Sequence, residues 1–494
     1  MAYGRVSMRK TREILRLKFE AHCSREGERM RVLLINTPAE KATQRWDRPD
    51  FPPLGLGYVA GSLLAGGHDV DVLDAKLEGL PLDALLARVP HLRADVYGLT
   101  AMTHEIERAG RVARALKDAH PESLILIGGC HATALPSETL GEFSAFDVAF
   151  RGEAEESVLE VLACIESGES LSSVPGIAFR EGARVQETDP RPWISEMDAI
   201  ALPAWSVFPR TPTYPVMTTR GCPFRCVFCM RVLGSRVRYR SPESVVGELE
   251  YLAAEYHPKE VVFYDETFTL NRRRVTAILE LMIERGLHQK FSWVAQTRVN
   301  ECDEELLALM ARAGCREIDF GIESGNAEVL ARIGKGISLD DARRAVRAAQ
   351  KVGIEVVTLF ILGHPGETRA TAKDTIDFAT ELNSDRLALG IMVPYPGTEV
   401  ARMASAGEGG YKLLSQHWSD FDKYLGNALE LDTLTRRDLE RLQLWGYLKF
   451  YLWNRRFGDL TRMVFSRWRE GVAAVRHLAG EWKRHFEGRR RVRR

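Results

Sequence analysis

The sequence predicts an α/β chain: a doubly wound parallel sheet, then a partial (βα)6 barrel, then a helical C-terminal region. Three observations predict it. Short apolar runs alternate with helical patterns in two separate series. A stretch rich in proline divides the series, with Pro175, Pro190, Pro192, Pro203, Pro209, Pro212 and Pro215. Directly after the first strand of the second series come Cys222, Cys226 and Cys229, spaced C-x3-C-x2-C. A length of 494 residues allows two or three domains. The expected boundaries are a leader (1–30), a doubly wound domain (31–180), a linker (181–210), a barrel (211–405) and a basic helical end (406–494).

The leader is charged and reads as helical. In the first series Arg31 to Asn36 is an apolar run of the kind buried in a parallel sheet. A helix follows from about Gly55 to Ala65. Further strands are expected at His68–Leu73, Val96–Thr100, Leu124–Ile127 and, short, around Val148 and Ala149. In such a sheet ligands sit at the carboxyl ends of the strands. The segment from Ser170 to Pro215 reads as a small accessory hairpin and linker.

In the second series the strands are expected at Val216–Thr219, Val261–Tyr264, Phe291–Ala295, Glu317–Phe320, Val356–Ile361 and Leu387–Met392. Helices fall between them, at about Pro242–Tyr256, Arg272–Arg285, Glu304–Ala313, Asp340–Val352 and Arg369–Glu381. Six units make most of an eight-unit barrel, and such barrels place chemistry at the carboxyl ends of their strands. The chain after Gly407 reads as mostly helical.

Composition excludes several classes. The net charge is zero, 28% of residues are charged and 45% are hydrophobic, as in soluble globular chains. No apolar run is long enough to span a bilayer, and no signal peptide is visible. Five of the eight cysteines (Cys23, Cys130, Cys164, Cys302, Cys315) are scattered, which points to a reduced, cytoplasmic protein. From Arg455 to Arg494 there are thirteen Lys or Arg against four acids, so the tail is near +9 and the remainder near −9.

Thiolates suit zinc or iron–sulfur clusters. A structural zinc site wants four protein ligands, and no fourth cysteine or histidine lies near. Three ligands suit a [4Fe–4S] cluster with one iron open; a zinc knuckle is the other reading. The run Thr218-Thr219-Arg220-Gly221-Cys222-Pro223-Phe224-Arg225-Cys226-Val227-Phe228-Cys229 resembles the cluster loop of the radical S-adenosylmethionine (SAM) superfamily, with a TIM-like open barrel. The resemblance implies SAM bound by its methionine end at the open iron, with Phe228 leaning on its adenine. It also implies cleavage of SAM to a 5′-deoxyadenosyl radical and an electron donor such as flavodoxin or ferredoxin.

The strand ends carry the rest of that resemblance. Asp265-Glu266 stands where the family commonly has Gly-Gly-Glu, whose glutamate holds the SAM amino group. Arg298 is a natural partner for the SAM carboxylate, since guanidinium pairs bidentately. In Gly321-Ile322-Glu323-Ser324-Gly325, Glu323 and Ser324 would contact the amino acid or ribose. In Gly363-His364-Pro365-Gly366-Glu367, Gly363, Pro365 and Gly366 would let backbone approach the adenine. The sixth strand ends Pro394-Tyr395-Pro396-Gly397-Thr398.

The first half resembles the Rossmann-like cobalamin-binding domains of the cobalamin-dependent radical SAM enzymes. The matching pieces are Pro52-Pro53-Leu54-Gly55-Leu56-Gly57-Tyr58, Gly128-Gly129-Cys130-His131-Ala132-Thr133 and Arg151-Gly152-Glu153-Ala154-Glu155. The resemblance implies contacts from Leu54, Gly55, Gly57, Thr100, Gly128, Gly129, His131, Gly152 and Glu153. His131 has a second reading, a loop hydrogen bond at the sheet edge. Many cobalamin proteins carry Asp-x-His-x-x-Gly after the first strand. Here it ends Asn36-Thr37-Pro38-Ala39, with Thr37 beside the cofactor and no histidine, so cobalt without a histidine ligand is expected. No G-x-G-x-x-G opens the first helix, which argues against a dinucleotide.

The resemblance implies methylation of an unactivated carbon of a small-molecule or lipid substrate. Oxidation, cyclisation or carbon–carbon coupling with the same cofactors is the alternative, and a non-catalytic cobalamin-binding protein the remote one. The basic tail, with Trp453, Trp468 and Trp482, reads as a cap on the barrel with a solvated charged end, as a contact to an anionic membrane surface or, least favoured, as a nucleic-acid binder. Tyr411 to Leu431 is expected to line the substrate mouth.

Overall fold

In a computed structural model of the protein, residues 29–38, 50–422 and 427–461 are described. The leader and the tail beyond residue 461 lie outside the described residues.

The first sheet has seven strands in the order β2-β1-β3-β4-β5-β6-β7. They are β1 (Arg31–Asn36), β2 (Asp69–Asp74), β3 (Val96–Thr100), β4 (Leu124–Gly128), β5 (Val148–Phe150), β6 (Ile177–Glu181) and β7 (Arg184–Glu187). β1 to β5 are parallel. β1 is buried along Val32 to Asn36 because helices cover both faces, which is why it reads as an unbroken apolar run. β6 and β7 form the expected hairpin, but it is no accessory: β6 pairs antiparallel with β5 and extends the sheet.

The second sheet is the partial barrel. Its strands are β8 (Thr213–Val216), β11 (Glu260–Phe263), β12 (Ser292–Thr297), β13 (Cys315–Glu323), β14 (Glu355–Leu362) and β15 (Arg386–Ile391). All pair in parallel, in chain order, with β8 and β15 at the open edges. Between β8 and β11 the short β9 (Thr219–Arg220) and β10 (Arg238–Tyr239) pair antiparallel. The helices lie at Pro242–Glu255, Arg272–Glu284, Glu304–Arg312, Leu339–Lys351 and Arg369–Leu382, within about a residue of expectation. Several begin on side-chain caps, such as Ser241, Asn271, Asp303 and Ser338.

After Gly407 the chain is less helical than expected. β16 (Tyr411–Leu413) and β17 (Leu429–Leu431) form an antiparallel pair before the helix Arg436–Trp453. No helix among the described residues is long and apolar enough to cross a membrane.

Candidate active site

The cysteine loop leaves β9 at Arg220 and rejoins the fold at Arg238 on β10, directly opposite in register. Gly221, with φ +94°, makes the first turn, and a Cβ there would lie 2.4 Å from the Arg236 carbonyl oxygen. Backbone bonds hold the loop: the Cys222 N–H donates to Gly234 O (3.1 Å), the Val227 N–H to Ile333 O (3.1 Å) and the Cys229 N–H to Cys226 O (3.2 Å). The Cys226 thiol faces Gly334 O and the Arg298 guanidinium, each at 3.9 Å.

The donor set fits an iron–sulfur cluster. Burial raises the Cys222 thiol above its ordinary value, and Glu266 and Cys226 add to the rise. Burial, then the neighbouring thiols, then Glu266 and Glu323 push Cys229 up to about 12. Three thiolates this close need positive charge among them, which bound iron supplies. Among the described residues no three His, Cys, Asp or Glu side chains converge on a point that would hold one ion. Cluster thiolates do not converge so, because each takes a separate iron.

The other strand-end residues divide into two groups. Glu266, Arg298 and Glu323 stand around the loop. Glu266 Oε2 is buried without a protein partner, and burial, aided by Asp265, raises its carboxyl. Arg298 is buried, lies 3.7 Å from the centre of the Phe224 ring, donates to Lys335 O and has an unpartnered Nε. Glu323 holds φ +76°, unusual for a residue with a side chain, at the register shift between β13 and β14. Its Oε1 accepts from Lys335 Nζ (3.0 Å) and its carbonyl from His364 Nε2 (3.1 Å). Burial lowers His364 to about 4, so it donates as a neutral ring. Phe228 lies beside it, with ring centres 5.9 Å apart.

The second group has protein partners of its own. Ser324 is fully buried and shares a hydrogen bond with Thr375 Oγ1 (3.1 Å). Gly363 needs its φ of +94° and donates to Glu367 Oε2 (2.5 Å), while its carbonyl accepts from the Tyr411 hydroxyl (3.0 Å). Pro365 O accepts from Arg332 (2.7 Å), whose guanidinium also fills the space over Gly366.

Four residues to which the sequence assigned no role matter here, two of them, Asp265 and Glu367, inside motifs already named. Lys335 neutralises Glu323 from a turn between Gly334 and Gly336. Asp265 anchors the strand that leads into the loop. Asp319 faces the barrel interior, since Ile318 and Phe320 on either side pack outward in the core. Burial, opposed by Arg316, lifts it to about 6, and its Oδ1 has no protein partner.

The fourth is Glu367, whose carboxyl burial lifts from 4.5 to about 7 against the Gly363 and His364 N–H donors. The folded chain keeps this proton up to about pH 7, whereas an unfolded glutamate releases it near 4.5. Between those values the folded state binds more protons. Its contribution is therefore full below about 4.5 and is lost as pH rises through about 7, an effect of about 3 kcal/mol. Glu367→Gln removes this slope. The midpoint difference between variant and wild type, followed by thermal unfolding of the cofactor-free chain, moves in the variant's favour from pH 5 to pH 8. Parallel profiles would refute the assignment.

At the first sheet, buried polar atoms without protein partners gather at the carboxyl ends of β1 to β4: Thr37 Oγ1, Asp74 Oδ2, Thr103 Oγ1, His104 Nδ1 and His131 Nδ1. Such atoms cost about 1–3 kcal/mol each unless a ligand meets them. An amide-fringed corrin with its nucleotide tail fits that demand. A Cβ at Gly128 or Gly55 would meet nothing within 4 Å. Gly129, with φ +100°, lies too close to Ala101 O for a side chain, and Thr100 Oγ1 is beside it. His131 is buried, lowered by burial to about 4, and stands edge-on to Trp418 at 4.8 Å.

The remaining residues expected at cobalamin have other partners. Leu54 lies in the core. Gly57 is packed under the Trp205 ring, where a Cβ would come within 2.5 Å. Gly152 abuts Trp193 and donates to Thr133 Oγ1 (3.2 Å). Glu153 is ion-paired with Arg220 and Arg238.

Comparison with known proteins agrees with this division. Residues 216–379 match the radical SAM superfamily and residues 48–162 the B12 binding domain. An uncharacterised methyltransferase of Pyrococcus horikoshii is 35% identical over 432 residues, covering 86% of this chain and 93% of the relative. The anaerobic magnesium-protoporphyrin IX monomethyl ester cyclase of Cereibacter sphaeroides is 30% identical over 421 residues, covering 81% and 67%. Among solved structures, the radical SAM methyltransferase TsrM of Kitasatospora setae, with cobalamin and a [4Fe–4S] cluster bound, superimposes with a TM-score of 0.68 at 18% identity, over 84% of this chain and 91% of that one. A cysteine loop at the mouth of a partial barrel, a polar edge on the sheet before it, the two family matches and a relative matched along most of its length place this chain in the cobalamin-dependent radical SAM enzyme family.

Proposed function

We propose that the chain methylates an unactivated carbon of a small-molecule or lipid substrate. Cys222, Cys226 and Cys229 would hold a [4Fe–4S] cluster, SAM would bind beside it, and cobalamin would lie on the carboxyl edge of the first sheet. Together these groups supply a carbon-centred radical and a transferable methyl. The protein supplies binding, orientation and shielding. Glu266, with its free oxygen, accepts an ammonium; Arg298 offers its guanidinium to a carboxylate; Asp319 offers an acceptor within the barrel.

One observation carries the reading: the carboxyl ends of the two sheets meet. Gly397, beyond β15, lies with its Cβ direction 3.5 Å from Ala134, in the helix after β4. From the β16–β17 segment, the Trp418 indole N–H donates to Glu142 Oε2 (2.9 Å), its backbone N–H to Glu107 Oε1 (2.8 Å), and its ring meets that of His131 at 4.8 Å. That arrangement supports the expected role of residues 411–431 at the substrate mouth for their described part, 411–422 and 427–431.

The test is anaerobic. The chain is reconstituted with iron, sulfide and hydroxocobalamin, freed of unbound cofactor and given SAM and a reductant. Methylcobalamin, S-adenosylhomocysteine and 5′-deoxyadenosine should all form, and cob(II)alamin should show no nitrogen superhyperfine splitting. Failure to retain cobalamin would overturn the reading. The similarity to the cyclases favours a second reading, oxidation or cyclisation, for which the product loses hydrogens instead of gaining CH2.

An external electron donor such as flavodoxin or ferredoxin and a cytoplasmic location belong to the same proposal. So does a membrane-surface contact. On the helix Arg436–Trp453, Leu444, Trp445, Leu448, Leu452 and Trp453 are exposed, and the basic tail follows. Vesicles containing phosphatidylglycerol should sediment the full chain, phosphatidylcholine vesicles should not, and Trp453→Ser should weaken the binding. Equal sedimentation with both lipids would refute it.

A further inference from the structure

Four buried charges join the two halves of the protein at the base of the cysteine loop. Glu153 Oε1 accepts from Arg220 Nη1 (2.8 Å), and both its oxygens accept from Arg238 Nη1 (2.7 Å each). Glu155 Oε1 accepts from Arg220 Nη2 (2.6 Å). Glu153 Oε2 also takes the Ile194 N–H (2.9 Å), so the linker is tied in as well. Side-chain exposure is 2% for Glu153, 9% for Glu155, 3% for Arg220 and 6% for Arg238.

Aromatic rings close the site on both sides. The Arg220 guanidinium lies 4.6 Å from the Tyr58 ring centre and that of Arg238 5.2 Å from Trp193. The Trp193 indole is wedged between two glycines. A Cβ at Gly152, in the first domain, would come within 3.2 Å of it, and one at Gly234, in the cysteine loop, within 2.8 Å.

Stability alone is a poor reason for this cluster. Buried ion pairs seldom outperform well-packed apolar residues, because desolvation consumes the Coulombic gain. What such a cluster supplies is register, and the placement says whose. Arg220 and Arg238 are the two ends of the loop that carries Cys222, Cys226 and Cys229, and are paired across β9 and β10. One carboxylate from the first domain grips both ends.

We propose that Glu153 and Glu155 are positioning residues that fix the reach between the cysteine loop and the cobalamin edge. This rests on the function proposed above. Methyl transfer between two bound cofactors demands a set separation, and a misplacement of about 1 Å can cost about 100-fold. Cleavage of SAM at the cluster makes no such demand on the first domain. Loosening the latch should therefore uncouple the two activities.

The variant is Glu155→Gln, which removes one charge while leaving Glu153 in place. In reconstituted protein, cluster content and 5′-deoxyadenosine formation should stay within about twofold of wild type, whereas methylcobalamin formation from SAM should fall at least about tenfold. The magnetic interaction between reduced cluster and cob(II)alamin should change in the electron paramagnetic resonance spectrum. A proportional fall in both activities with an unchanged magnetic interaction would mean a merely structural role and overturn the proposal; so would no change at all. Should the variant fold poorly, Glu155→Asp, which keeps the charge and shortens the reach, is read in the same way. If wild type retains no cobalamin, the proposed function fails, and the latch is read by hydrogen exchange of the cofactor-free chain. Faster exchange at residues 219–222 and 236–239 in the variant supports it, and unchanged exchange overturns it.

Discussion

Cys226→Ala will abolish the iron–sulfur absorbance of the reconstituted chain and take SAM cleavage below detection. The loop has three thiols and no fourth ligand to substitute, so losing one leaves two, too few to hold a cluster that keeps one iron open. Cys226 is the thiol turned toward Arg298 and Gly334, between the loop and the Gly334–Gly336 turn. Its removal should leave the backbone bonds of Cys222, Val227 and Cys229 in place, so the variant should fold. Cys302→Ala is the control. That thiol is half-buried four residues beyond Arg298, with backbone carbonyls as its partners at 3.9 Å, and its loss should spare the cluster. A Cys226→Ala protein that kept its cluster and cleaved SAM at the wild-type rate would refute the assignment.

How much of this was legible in sequence depends on whether the signal was local. β1, β3 and the helices of the barrel were placed closely because burial on two faces or one writes itself into apolar periodicity. β8 was expected to begin at Val216 but begins at Thr213, through Pro215. It pairs only with β11, and an edge strand can carry a residue without an N–H. The β16–β17 pair lies where the sequence predicts helix, because three-residue strands leave no period. The cysteine triplet is a local pattern and was read directly. Lys335 was not, because its meaning comes from Glu323, twelve residues away across a helix. Glu153 stands in a motif that points to a cofactor, whereas the structure pairs it with two arginines. Its partners, Arg220 and Arg238, lie 67 and 85 residues further on, and nothing local announces them.

Asp265→Ala should destabilise the chain more than any other single carboxylate change outside the ion cluster. Asp265 is fully buried at the end of β11 and reaches across to the segment leading into the cysteine loop. Its Oδ1 accepts from the Thr218 N–H (3.0 Å), the Thr218 hydroxyl (3.0 Å), the Thr219 hydroxyl (2.6 Å) and the Thr219 N–H. Arg274 stands behind it, donating to Thr218 O (2.9 Å) and Thr218 Oγ1 (3.2 Å). Alanine would leave four donors buried without an acceptor and a guanidinium without its nearest carboxylate. At about 1–3 kcal/mol for each donor that cannot reorient, the loss is on the order of 4 kcal/mol. The apparent unfolding midpoint should fall by about 4 °C. Asp265→Asn separates charge from geometry. Its oxygen can still take the Thr218 and Thr219 donors, while its NH2 replaces an Oδ2 that has no partner. Burial already holds the Asp265 carboxyl above its ordinary value, against the pull of those hydrogen bonds and of Arg274, so part of the charge is disfavoured in the native protein. The amide should therefore keep most of the stability that alanine loses. If the asparagine and alanine variants unfold at the same temperature, the hydrogen bonds are not what holds the loop's first strand, and the through-space attraction of the Asp265 charge for Arg274 is.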